Sequence, residues 1–414
     1  MENQTQQLNK NKTGALWFII YAFVTSAVYI LPIVKFRAPY VVTATLMLVS
    51  ILFFVVKETP WFGKAFLLCF ISLLLFVFSV LISGATPVYA INEAIRNIRF
   101  FLPALWGCFA LRYCNKKQQL IFFILFGVLC VFILSRTLVA LNEDPEVTRL
   151  LAQDKASSNE EINEYRLRNV GGFEFSYMMG IVVLCLVYTA LKVKNIWKKL
   201  LLIAAIVFLY SYIIDTMYTT LLILTTVGIA ILFFMETQDV RLKVLALALA
   251  VFVIFALGPI TNFLSGAFPD GSFLNDKFAG IHEAITAGDA TLMGSRPELL
   301  LRGIQNWLKF PLFGRLDSGS NTHSLLISLL ESGGLVAFVL WLVVYVFAYK
   351  ELKSEIVNCG KNHGLLFVAF VYIFVLSLLN PIGYVFELTI AAFFIVPMVC
   401  GFIGEQKAVE EEEQ

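Results

Sequence analysis

The chain has 414 residues, of which 59% are apolar and only 14% are charged, and its formal net charge is +2. Soluble domains have fewer apolar and more charged side chains, so this composition excludes a soluble globular protein and predicts an integral membrane protein. No nucleic-acid partner is expected.

Apolar runs long enough to cross a bilayer as helices recur about twelve times along the chain. Backbone N–H and C=O groups find no hydrogen-bonding partners in lipid, so a spanning segment must be a helix or a strand of a closed barrel. The runs lack the alternation of apolar and polar residues that barrel strands show. They therefore predict an all-α polytopic membrane protein with a single membrane domain over residues 1–414, and no cleavable signal peptide. The runs cover residues 14–34, 40–56, 65–83, 100–113, 119–141, 173–191, 199–215, 219–235, 243–260, 323–348, 364–380 and 387–404.

Lysine and arginine concentrate in alternate short loops, for instance around Lys116 and Lys198. The positive-inside rule assigns these loops to the cytoplasm, so both termini are predicted to be cytoplasmic. The two long polar loops, residues 142–172 and 261–321, then face outward. The seven cysteines avoid both loops, so no disulfide is expected, and no spacing suggests a metal, a nucleotide or another cofactor.

The first outer loop ends in a pair of arginines, Arg166 and Arg168, just before two glycines and a span. Arg99 precedes the fourth predicted span, and Arg136 lies near the outer end of the fifth. One guanidinium group can donate two parallel hydrogen bonds to phosphate oxygens, so arginines gathered on one face would form a site for pyrophosphate. The simpler alternative is a solvated loop with arginines at the membrane boundary.

The second outer loop contains Ser295-Arg296-Pro297-Glu298, which has the form of a capping box with proline in the first turn. It predicts an interfacial amphipathic helix near residues 296–310 that ends before Pro311. The predicted sides of this helix are apolar at Leu299, Leu300, Ile304, Trp307 and Leu308, and polar at Arg302, Asn306 and Lys309. The positive end of the helix dipole beside Arg296 favours binding of an anion such as phosphate. The alternative is that Arg296 simply extends its charged end to the membrane–water interface and binds no ligand.

A histidine opens the next apolar run. Asn321 or Thr322 is the predicted N-cap of that helix, which would place His323 in its first turn at the outer membrane face. Histidine accepts and returns a proton near neutral pH, so His323 is a candidate general base. A structural hydrogen-bonding histidine is the alternative.

The order of these motifs resembles the bacterial O-antigen polymerase and O-antigen ligase superfamily. The motifs that carry the resemblance are Gly171-Gly172-Phe173, Ser295-Arg296, the turn from Phe310 to Gly314, His323-Ser324 and the stretch from Glu331 to Leu335. Ser324 stands where the family usually has asparagine. Residues 215–219 also lack an arginine that the family often carries, so that cationic contact is either missing or supplied elsewhere, with Arg168, Arg136 and Arg99 as the candidates.

The resemblance implies glycosyl transfer at the outer face of the cytoplasmic membrane, by a metal-independent inverting mechanism without a cofactor. The donor would be an oligosaccharide linked to undecaprenyl pyrophosphate, and the partners would be membrane lipid and a polysaccharide chain-length regulator. Arg296 would hold the departing pyrophosphate, and His323 would act as general base on the acceptor hydroxyl. The implied substrate-binding residues are Arg168, Arg166, Arg99, Arg136, Arg302 and Asn321.

Three functions stay open on these grounds. A polymerase would extend a lipid-linked repeat unit of O-antigen or capsule, whereas a ligase would transfer the polysaccharide to the lipid A core of lipopolysaccharide. The incomplete histidine-asparagine step and the missing arginine favour the polymerase. A flippase for lipid-linked oligosaccharide is the alternative from another class, but carriers usually place their charges inside the spans.

Overall fold

The computed structural model describes residues 2–37, 87–153, 160–216, 218–237, 241, 243–244, 259, 261–263, 265–266, 273–287, 296–314, 323–382 and 385–403. Within these ranges the chain forms helices and no strand. The helices are α1 (Glu2–Ile30), α2 (Pro32–Arg37), α3 (Pro87–Tyr113), α4 (Lys116–Glu143), α5 (Val147–Gln153), α6 (Glu160–Leu167), α7 (Phe173–Lys192), α8 (Ile196–Asp215), α9 (Thr219–Glu236), α10 (Phe273–Ala287), α11 (Arg296–Lys309), α12 (Leu325–Asn358), α13 (Gly364–Leu379) and α14 (Phe386–Ile403).

Six of these helices are long and apolar enough to cross a membrane, namely α4, α7, α8, α9, α12 and α14. Shorter apolar helical stretches cover Ala15–Ile30, Phe100–Tyr113 and Gly364–Leu379. These helices confirm an all-α multi-pass membrane protein. The predicted spans at 40–56 and 65–83 lie outside the described residues, as does most of 243–260, so the number of twelve stays a prediction.

One end of the bundle, here called the basic end, is joined by ion pairs between helix termini. Arg112, at the end of α3, pairs with Glu355 of α12. Lys192, at the end of α7, pairs with Glu236 of α9 at 2.5 Å, and the Asn362 amide before α13 donates to the same carboxylate at 2.9 Å. The ends of α3, α7, α9 and α12 therefore meet the start of α13 here.

The opposite end, here called the loop end, carries the end of α4, helices α5 and α6, and the start of α7. The start of α12 meets the end of α13 there, because the Leu325 N–H donates to the Asn380 carbonyl at 3.2 Å. The Tyr218 hydroxyl donates to the Thr148 carbonyl at 2.5 Å and holds α5 against the connection between α8 and α9. The start of α12, next to the predicted site residue His323, therefore lies at this end.

The core lies around α7 and α14. In the most apolar segments of these two helices, 72% and 78% of the residues are buried, compared with only 11% in α8. Aromatic rings fill this core. Trp106 of α3 meets Phe386 and Phe394 of α14 edge to face, at centroid distances of 5.8 Å and 5.7 Å. Helix α8, by contrast, turns most of its surface outward.

Candidate functional site

Helix α11 has the limits that its sequence predicts. It begins at Arg296 and ends at Lys309, two residues before Pro311. Proline at the second position is tolerated because the N–H groups of the first turn have no partner within the helix. Glu298 in the first turn and Lys309 in the last both suit the helix dipole. Ser295, the predicted cap, lies outside the described residues.

The two sides predicted for α11 are in fact three. The side that packs on the protein includes the buried Gly303 and the half-buried Leu300 and Asn306. A second, apolar side is exposed, and it consists of Leu301, Ile304 and Leu308. A third, exposed side is polar and includes Arg302 and Lys309. The prediction that Asn306 belongs to the polar side was wrong, because its amide is used in a contact with α12.

That contact joins α11 to a buried carboxylate. The Asn306 Nδ2 donates to Oε1 of Glu331 at 2.8 Å, and Glu331 is only 4% exposed inside the apolar helix α12. Burying a carboxylate is costly unless it accepts hydrogen bonds, so this contact stabilises the position of α11. Sequence reasoning gave neither residue a role. The available signal was a lone acidic residue between Leu329 and Leu335 in an otherwise apolar stretch.

A second contact follows directly along both helices. Gly334 has φ 64° and ψ −165°, which interrupts α12. The N–H groups of Leu335 and Val336, which an unbroken helix would use internally, instead donate to the carbonyls of Pro311 and Leu312 at 2.8 Å and 3.2 Å. The turn after α11 thus completes the hydrogen bonding of the kink in α12. Two short motifs of the sequence, Phe310 to Gly314 and Glu331 to Leu335, prove to be one structural unit.

His323 lies just outside α12, not in its first turn. The N-cap is Ser324, whose hydroxyl accepts the Ile327 N–H at 3.3 Å. The prediction of Asn321 or Thr322 as the N-cap was therefore wrong. A distant contact, in which the Ser324 hydroxyl donates to the Ser377 carbonyl at 3.2 Å, also holds Ser324 in the capping position. His323 is half-buried with φ 49°, a conformation that non-glycine residues seldom adopt. The histidine thus stands at the loop end, immediately before the helix.

Arg168 is already engaged in the free protein. Its guanidinium donates to both carboxylate oxygens of Glu143, at 2.8 Å and 2.7 Å, and lies 5.6 Å from the ring centroid of Tyr165. The hydrogen bond to Glu143 raises the pKa of Arg168. Arg166 donates to Asn163 at 3.4 Å. An anion at this position would compete with Glu143 for Arg168.

The remaining predicted residues are spread over other elements. Arg136 is exposed on α4, 5.7 Å from the ring centroid of Phe132, and Arg302 is exposed on α11. Arg99 lies within α3, and its side chain is not described; the same holds for the side chain of Arg296 at the start of α11. Asn321 lies outside the described residues. The contacts therefore join the helix of Arg296 to that of His323, while Arg166 and Arg168 belong to a separate group beside α4.

Within the described part of the chain, no group of three or more His, Cys, Asp or Glu side chains is arranged to hold a metal ion. The six described cysteines are free thiols. Comparison with known proteins finds neither a protein family nor a curated sequence that matches this chain.

Proposed function

We propose that this protein is a polysaccharide polymerase, which transfers a glycan from undecaprenyl pyrophosphate to a sugar hydroxyl of a lipid-linked repeat unit. The observation that carries the proposal is the contact that joins α11 to α12. Asn306 of α11 donates to Glu331 of α12, and the Leu335 N–H of α12 donates to the Pro311 carbonyl in the turn after α11. The start of α11, with Arg296, and the start of α12, next to His323, therefore belong to one joined pair of helices.

Those two N-termini bring the groups that the reaction needs. Arg296 is ten residues before Asn306, and His323 is eight residues before Glu331. Arg296 at a helix N-terminus and His323 just before the next helix thus each precede a partner of the same anchored contact along the chain. This arrangement suits a reaction in which the pyrophosphate of the donor binds near Arg296 and the sugar hydroxyl of the acceptor binds near His323.

The chemistry is a single displacement at the anomeric carbon. The ring nitrogen of His323 takes the proton of the acceptor hydroxyl while the hydroxyl oxygen bonds to the anomeric carbon. The bond from that carbon to the pyrophosphate oxygen breaks, and the pyrophosphate leaves with the electron pair. Fixed positive groups stabilise this developing charge without reorganising, and the arginine and backbone N–H groups at the start of α11 would supply them.

The exposed apolar side of α11 supports a lipid-linked donor. Leu301, Ile304 and Leu308 form a stripe that points away from the protein, and Leu312 extends it at 58% exposure. Such a stripe beside exposed cations is typical of a helix that lies in the membrane interface. A polyprenyl chain could rest on the stripe while its pyrophosphate reaches the N-terminus of the helix.

Sidedness follows from the charge of the two ends. Lysines and arginines concentrate at the basic end, which the positive-inside rule assigns to the cytoplasm. The loop end then faces the periplasm or cell exterior, where lipid-linked repeat units are polymerised.

A gene deletion followed by electrophoresis of the polysaccharide tests the proposal. A single repeat unit on an otherwise intact acceptor is the result expected for a polymerase. Bare acceptor together with long lipid-linked polymer would instead identify a ligase, and repeat units trapped in the inner leaflet would identify a flippase.

Two variants test the site in the same assay. His323→Asn removes the titratable ring but tolerates the positive φ, because asparagine adopts this conformation more readily than most residues. It is expected to lower the rate by about 10² to 10⁴, the usual contribution of a general base. Arg296→Gln is expected to abolish the ladder at normal protein levels. Normal ladders from both variants would overturn the mechanism.

A further inference from the structure

Glu331 is a buried acid that the proposed chemistry does not use. It is 4% exposed and lies six residues, or about 9 Å along the helix axis, beyond Leu325, the first residue of α12. Carboxylates are rarely buried in apolar helices without a function, since desolvation disfavours their charged form.

The surroundings of Glu331 concentrate the contacts between the two site helices. Asn306 of α11 donates to the carboxylate, and its own amide oxygen accepts from the Lys309 ammonium at 3.5 Å. The side-chain amide therefore lies between a cation on one side and a carboxylate on the other. The amide nitrogen of Asn306 therefore faces α12, and its amide oxygen faces Lys309.

The backbone next to Glu331 is shaped to receive the turn after α11. Gly314 has φ 67°, and a Cβ there would lie 2.6 Å from the carbonyl oxygen of Glu331. A Cβ on Gly334 would collide with the carbonyl of Leu312. Only glycine permits this approach at both positions, so the turn and the kink fit each other at backbone level.

We propose that Glu331 is a positioning residue, which through Asn306 sets the register of α11 against α12 and so fixes Arg296 relative to His323. The inference rests on the proposed function for its catalytic consequence, but the register itself is a structural property. The backbone bonds at Leu335 and Val336 hold the two helices together near the kink. The side-chain bond one turn earlier along both helices controls their angle towards the N-termini.

The test exchanges the hydrogen-bonding groups without changing their sizes. Asn306→Asp places two carboxylates against each other, and it is expected to lower kcat for chain growth about tenfold or more while KM for the donor changes little. Glu331→Gln keeps an acceptor for Asn306, and a loss of no more than about threefold is expected. The double variant, Asn306→Asp with Glu331→Gln, restores a donor facing a carboxylate, and it is expected to recover most of the rate.

Spin labels introduced as unnatural amino acids at the exposed positions Leu301 and Val339 give a readout that is independent of activity. Their distance distribution is expected to broaden or shift in Asn306→Asp and to return in the double variant. An unchanged distribution in Asn306→Asp, or a double variant no better than that single variant, would overturn the proposal. If the distances respond while the unmodified protein forms no polysaccharide, the register role stands and the proposed function fails.

Discussion

The two ends of the bundle treat buried carboxylates differently. At the basic end, Glu355 and Glu236 each face a cation on another helix, Arg112 and Lys192. At the loop end, the buried Glu331 meets a neutral amide. The basic end thus joins its helices by contacts between two charged groups, whereas the contact of Asn306 with Glu331 is a hydrogen bond from a neutral amide to a carboxylate. Loss of one partner should therefore cost more at the basic end.

The largest effect is expected from Lys192→Met at the basic end. The side chain of Glu236 is fully buried, so loss of its cation leaves a carboxylate that, among the described residues, still accepts from the amide of Asn362. Removing one partner of a buried pair costs about 3–5 kcal/mol, and because Lys192 is itself 34% exposed, a decrease of about 2–3 kcal/mol in the free energy of unfolding is expected. The measurement is the midpoint of thermal unfolding in detergent, with Lys198→Met, at an exposed position, as the control. Equal midpoints for the two variants would remove the distinction between the ends.

A smaller loss is expected for Glu355→Gln. The amide oxygen can still accept from Arg112, which is itself 31% exposed, so water compensates part of the lost charge. A decrease of about 1–2 kcal/mol in the free energy of unfolding is expected, because hydrogen bonds between charged groups contribute roughly this much. Thermal unfolding checks the value, and polysaccharide chain length should remain normal at permissive temperature. Shortened chains with unchanged stability would show that this end also takes part in synthesis.

At the loop end, Tyr218→Phe removes one neutral hydrogen bond and keeps the ring. The hydroxyl that donates to the Thr148 carbonyl is lost, and the free energy of opening α5 should fall by about 1 kcal/mol. Hydrogen exchange of the amides in Val147–Gln153 is the suitable measurement, since local opening is read there directly. Unchanged exchange rates in this helix would mean that the contact does not hold the loop in place.

The smallest effect on stability is expected from Arg168→Ala. Its pair with Glu143 is exposed, with 35% and 48% of the two side chains accessible, and such pairs contribute less than about 1 kcal/mol. Thermal unfolding should therefore barely change. A clear rise in KM for the lipid-linked donor in the same variant would assign Arg168 to ligand binding, and an unchanged KM would leave it as a surface ion pair.

The sequence predicts much of the fold because lipid leaves the chain few choices. Apolar runs become helices, and α11 ends two residues before Pro311, as the local chemistry of proline predicts. The site was harder to predict where distant residues decide it. Ser324 caps α12 in part because Ser377 holds it, and Asn306 faces inward because Glu331 lies across from it. Neither contact leaves a trace in local sequence spacing.

The kink at Gly334 makes tolerance to mutation very uneven along the chain. Every other residue at this position would meet both an unfavourable φ and the Leu312 carbonyl. Gly127 in α4 has a helical backbone, and a Cβ there would meet no atom within 4 Å. In a library of single substitutions, one glycine codon should therefore accept almost nothing while another accepts most small residues. Two glycines that look alike in the sequence thus differ in how much variation the protein can absorb.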